Sequence, residues 1–186
     1  LYCLAFHSPF FEKIYSIFES HTEMIMKGKS GKPREFGHMA TFAQTKERFI
    51  SFYKVDENKI DDTKYTSIVL EDHKNTFGIY PEVFAADKGY WENPETTKKW
   101  REEIKTFSIG KKGKRTESER ELEHSSEFKE AQKFRSGEEA SISTLKHQFS
   151  LKRCLLKGFK KFETFVASGV FSYNLVLLMR RRLAMA

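Results

Sequence analysis

Residues 159–177 constrain the fold more than any other stretch. From Phe159, apolar side chains recur at Phe162, Phe165, Val166, Val170, Tyr173 and Leu177, the spacing of one face of an α-helix. Residues 164–179 are apolar enough to suggest a membrane span, with Arg180-Arg181-Arg182 as its cytoplasmic flank. The run falls short of the roughly 20 residues a span needs. It also carries Ser168, Ser172 and Asn174. The segment therefore reads as a packing helix, and no membrane is expected as a partner. The rest of the chain must supply the surface it packs on.

Candidates for that surface follow in order. Between Phe36 and Val55, Met39, Thr41 and Ala43 alternate with Ala40, Phe42 and Gln44, and Lys46-Glu47-Arg48 makes a polar turn. Residues 49–55 are β-branched and aromatic, so a hairpin is expected. A helix is expected over Thr63–Phe77, with Tyr65, Ile68, Val69 and Leu70 inward and Gly78 ending it. The short apolar run from Val83 closes on Asp87, and Gly89 allows a tight turn. Asp87 reads either as an ordinary turn or cap residue or as a ligand-site acid, since ligand sites in open α/β sheets lie at strand carboxyl ends. Asn93–Ile104 looks helical, with Pro94 near its start.

Residues 105–115 carry four lysines, an arginine and two glycines. That is too Gly-rich for a helix and too basic for a core, so a mobile positive loop contacting phosphates is expected. Glu117–Lys133 reads as a charged helix, open to continuation into the next stretch, Phe134–Lys146. Wound as one helix at about 100° per residue, with Arg135 at zero, Glu139 falls near 40° and Lys146 near 20°. A carboxylate held between two cations stays ionised at neutral pH. Ser136-x-x-Glu139 also matches a capping box, and Gly137 favours a helix start there.

Residues 1–36 form an N-terminal segment with core material at Phe6, Phe10, Phe11, Ile14, Ile17 and Phe18. Its basic run from Lys27 to Arg34 has loop composition but lacks the spacing of a nucleotide-binding P-loop. The 186 residues suit one domain with a sizeable core. Mean hydropathy of −0.61 reads as soluble, and 18 Phe argue against disorder. Lys and Arg number 33 against 26 Asp and Glu, a net charge of +7 that suits a polyanionic partner. Cys3 and Cys154 make neither a disulfide framework nor a zinc site, as in a reducing cytoplasm. Leu1 in place of methionine suggests a longer upstream region.

Several segments together resemble the DDE-type transposases of bacterial insertion sequences. They are K-P-R-E-F-G-H (32–38), A-A-D-K-G-Y (85–90), G-K-K-G-K-R (110–115) and F-R-S-G-E-E-A-S-I-S-T-L-K (134–146). The series continues through L-K-R-C-L-L-K-G (151–158) to F-S-Y-N-L (171–175). The resemblance implies an α/β fold, a ribonuclease H-like mixed sheet flanked by helices, spanning residues 37–180 and followed by a basic tail at 181–186. It implies Asp87 and Glu139 as catalytic, metal-holding acids for two Mg²⁺ or Mn²⁺ ions. Arg135, Lys146, Lys111, Lys112, Lys114 and Arg115 are the implied DNA contacts.

Gln132 stands where related transposases carry a tyrosine. The first acid is unassigned: Ala43-Gln44-Thr45 holds no carboxylate, and Glu19, Glu47 and Asp62 are unranked candidates. The implied function is metal-dependent DNA strand cleavage and transfer, in a copy that is truncated or inactive if the acid is missing. The implied partners are the element's ends, target DNA and further copies of the chain, in a bacterial cytoplasm at the nucleoid. The alternative is a basic DNA-binding protein without chemistry.

Overall fold

The computed structural model describes residues 22–26, 34–58 and 60–185, together with Ser16 and Glu19. The core residues expected between Phe6 and Phe18, the basic run at 27–33, and Cys3 lie outside the described residues. Strands β1 (Glu23–Met26) and β2 (Arg34–Gly37) pair antiparallel. Strands β3 (Ala40–Gln44) and β4 (Ile50–Val55) form the expected hairpin, with an irregularity between Ala43 and Gln44. A 3-10 turn at Asp62–Lys64 leads into α1 (Tyr65–Phe77), which buries Tyr65, Val69 and Leu70. Gly78 closes the helix at φ 80°, a left-handed conformation that glycine adopts without strain.

Strand β5 (Val83–Ala85) precedes α2 (Pro94–Glu103), whose Asn93 side chain caps the backbone N–H of Thr96. Strand β6 (Thr106–Ser108) then pairs parallel to β5. This corrects the expectation of a surface loop over 105–115. Phe107 and Ile109 are buried with Leu70, Trp100 and Ile104 in one of two cores. Lysines on either side mask a three-residue strand, because composition averages over a window longer than the strand itself.

The second correction concerns the helices. The chain from Glu117 forms α3 (Glu117–His124), α4 (Ser126–Ser136) and α5 (Glu138–Gln148), broken at Ser125 and at Gly137. Gly137 divides the stripe drawn through Arg135, Glu139 and Lys146: Arg135 closes α4, while the other two belong to α5. The Ser136–Glu139 capping box is not formed either. Gly137 is the cap, and the Ser136 hydroxyl donates to the Lys133 carbonyl oxygen at 2.7 Å. A capping box does form at Thr116 and Glu119.

Helix α6 (Phe159–Met185) is long and apolar enough to cross a membrane by length and composition. Its Val166, Val170 and Tyr173 face packs in the other core, against Ile50, Val55 and Leu145. Gly169 admits the Leu151 side chain, because a Cβ there would lie 2.7 Å from Leu151 Cδ2. Arg181 and Arg182, read as a tail, continue this helix.

Candidate active site

A cavity of about 720 Å³ is lined by residues of the β3–β4 hairpin and of β5 and its flanks. Along one side runs β3, and along the other the chain from Pro81 through β5 to Asp87. Phe134 and Arg135 from α4, with Glu138 and Ile142 from α5, complete the lining on the helical side. Val69 and Leu70 of α1 supply apolar wall.

Asp87 stands two residues beyond β5 and is exposed, with its Oδ1 accepting from the Lys88 N–H at 2.8 Å. It is thus a cap residue that also lines the cavity. Tyr90, in the turn that Asp87 caps, also lines the cavity, and burial pushes its hydroxyl above the usual pKa.

Successive helical residues diverge by about 100°, and the first turn of α5 shows the consequence. Glu138 lines the cavity, whereas Glu139 is exposed and is not part of its lining. Burial pushes the Glu138 carboxyl above its ordinary value, against the pull of Arg135 and Arg48. Arg48, from the β3–β4 turn, had no signal in the sequence. It adopts φ 74°, with its guanidinium 4.5 Å over the Phe134 ring. A Cβ on Gly137 would lie 2.5 Å from Arg48 Nη2, so the absence of a side chain makes room for this cation.

Gln132 is a joint of the site rather than a lost group. Its Nε2 donates toward the Ser108 carbonyl (2.6 Å), the Ala86 carbonyl (3.1 Å) and Ser108 Oγ (3.1 Å). Its Oε1 accepts from Arg135 Nε at 3.0 Å. One amide thus ties the ends of β5 and β6 to α4 and aims the Arg135 guanidinium.

The expected DNA contacts divide. Lys111 Nζ pairs with Glu119 at 2.8 Å, and Arg115 Nε with Glu123 at 3.0 Å. Lys111 and the Thr116 N–H hold the Glu119 carboxyl down to about 2. Lys112 donates to the Gly89 carbonyl at 2.9 Å. Lys114 makes no side-chain contact of this kind among the described residues. Lys146 is exposed near the end of α5, away from the cavity lining.

The first-acid candidates are scattered. Glu19 accepts from the Gly158 N–H at 2.9 Å, Glu47 is exposed in the β3–β4 turn, and Asp62 begins the 3-10 turn before α1. Gln44, at the carboxyl end of β3, faces the cavity with both amide atoms buried and without hydrogen-bond partners among the described residues.

Residues 18–175 match the family model described as the transposase DDE domain. The chain belongs to that family. No curated protein and no solved structure matches it. The DDE family is one of DNA-processing phosphoryl-transfer enzymes that use divalent metal ions. Apart from His73, the acidic and metal-ligating side chains lining the cavity are carboxylates, which suit Mg²⁺ better than zinc. They do not converge on one point: among the described residues no three Asp, Glu, His or Cys side chains cluster to hold an ion.

Proposed function

We propose that this DDE domain cleaves and transfers DNA strands by in-line displacement at phosphorus. The observation that carries the reading is the shared cavity of Asp87, Arg135 and the α5 first turn, contributed by segments some fifty residues apart in a chain of this family. Asp87 and Glu139 are the proposed metal-holding acids. Bound Mg²⁺ or Mn²⁺, two ions in a complete site, would activate a water or 3′-hydroxyl and stabilise the leaving oxygen. Arg135, aimed by Gln132, neutralises charge on the phosphate that enters. Glu138, drawn into the cavity between Arg48 and Arg135, is the nearest substitute for Glu139, one residue away.

We further infer a ribonuclease H-like fold over residues 37–180, with 1–36 as an N-terminal segment. Support comes from the separate β3–β4 and β5–β6 ladders, whose strands β3 and β5 both line the same cavity. The proposed partners are the ends of the protein's own element and target DNA, engaged by more than one copy of the chain in a bacterial cytoplasm at the nucleoid.

The test is nicking of supercoiled plasmid by the full chain with Mg²⁺ or Mn²⁺. Nicking that vanishes in Glu139→Ala while DNA binding persists supports the assignment. Loss in Glu138→Ala with Glu139→Ala active moves the acid by one position. DNA binding without cleavage under either metal selects the second reading, a non-catalytic DNA-binding protein, which the lack of a three-ligand cluster among the described residues favours.

A further inference from the structure

The positive charge of this protein is not where its most basic loop suggests. From Lys105 to Glu130, seven Lys and Arg meet six glutamates, and the ion pairs of Lys111 and Arg115 close that stretch on itself. From Ala140 to Phe162 there are six Lys and Arg and no carboxylate. The charge of this stretch, from the end of α5 through the connection into the start of α6, nearly equals the net charge of the whole chain, +7. Lys146, Lys152, Arg153, Lys157, Lys160 and Lys161 are all exposed. None has a carboxylate within ion-pair distance among the described residues, although Glu163 lies one helical turn beyond Lys160.

The connection is fixed in shape. The N–H groups of Leu151 and Lys152 donate to the carbonyls of Leu145 and Lys146 at 3.1 and 3.2 Å. Leu151 plugs the Gly169 notch of α6, and Gly158 turns the chain at φ 87°. Glu19 accepts from the Gly158 N–H, which occupies that carboxylate at the turn. The cations are therefore presented from a folded connection rather than from a free tail.

We infer that this α5–α6 surface, rather than the 110–115 loop, is the main phosphate-backbone contact for duplex DNA. The inference rests on the DNA-processing reading above and locates its binding face. Charge complementarity selects the partner: unpaired cations gain by releasing the counterions of a polyphosphate, whereas cations already paired must first give up a carboxylate. Leu155 and Leu156 are exposed beside the lysines, a combination that also suits a lipid surface. Interfacial membrane segments, however, are amphipathic helices, and 149–158 is not helical.

The experiment is salt-dependent binding of the full chain to a fluorescent 25-base-pair duplex, read by anisotropy between 50 and 200 mM KCl. Neutralising Lys152, Arg153 and Lys157 together to Gln should lower the salt slope by about 2 to 3, since each phosphate contact contributes about 0.9. Over this range that shrinks the affinity ratio roughly thirtyfold. Lys111, Lys112 and Arg115 changed to Gln should lower the slope by less than about 1. The reverse ranking overturns the inference while leaving the transposase reading intact. Binding to phosphatidylserine vesicles but not to DNA overturns both. Nicking activity plays no part in this readout, so a chain that binds as described but cannot cleave fails only the catalytic reading.

Discussion

Replacing Asn174 tests how the long helix sets the geometry behind the site. Its Oδ1 accepts from the Ile50 N–H and its Nδ2 donates to the Ile50 carbonyl, both at 2.9 Å. Asn174 therefore pairs with the first residue of β4 as a neighbouring strand would. The adjacent Tyr173 hydroxyl donates to the Arg48 carbonyl at 3.2 Å, holding the turn that carries Arg48 toward Gly137. A net hydrogen bond is worth about 0.5–1.5 kcal/mol, and a buried group left without a partner costs about 1–3 kcal/mol. Ile50 is 6% exposed, so water reaches its polar atoms poorly.

Asn174→Leu, which keeps the volume and excludes water, should cost about 3–4 kcal/mol. Asn174→Ala leaves room for a water and should cost about 2 kcal/mol. Urea unfolding followed by circular dichroism measures both, with the midpoint falling by about 1 M or more at an unchanged slope. A Leu variant within about 0.5 kcal/mol of the parent would refute the pairing, that being the scatter expected of a neutral substitution. An Ala variant less stable than Leu would show that volume, not hydrogen bonding, is what Asn174 supplies.

Gln132→Met preserves length but strips the amide from Ala86, Ser108 and Arg135. It should destabilise by about 1–3 kcal/mol, and Gln132→Glu should be worse because a carboxylate would face two carbonyl oxygens; thermal unfolding ranks them. The pH dependence follows from Glu119 and Glu138. Glu119 is held down to about 2 from an ordinary value of 4.5, so its stabilisation is present above 4.5 and is lost as pH falls toward 2. Glu119→Gln should flatten that acid limb in urea titrations. Glu138 is raised instead: its contribution is full below 4.5 and declines as pH rises through its folded value, a decline Glu138→Gln should abolish.

What can be read from sequence is what neighbouring residues decide. Helix α1 ends at Gly78, α2 starts behind Asn93 and Pro94, and α6 buries the face its period marks out. The family resemblance lay in ordered local motifs, and the match over residues 18–175 bears it out. Strand β6 escaped notice because three residues cannot outweigh flanking lysines. The helix start at Gly137 was legible from the glycine itself, but what fills the space it leaves was not. It is Arg48, entering from a distant turn, that needs the space.

The sequence by itself determined α1, α2 and α6, with the Gly78 and Asn93 ends of the first two, the excess of positive charge and the family. Tertiary structure alone decided which glutamate of α5 faces the cavity, which lysines are already neutralised, and that Gln132 joins two strand ends to a cation. The physical reason is range. Periodicity and capping are settled within a turn or two of backbone, whereas a contact such as Asn174 with Ile50 spans 124 residues and exists only once the cores have packed.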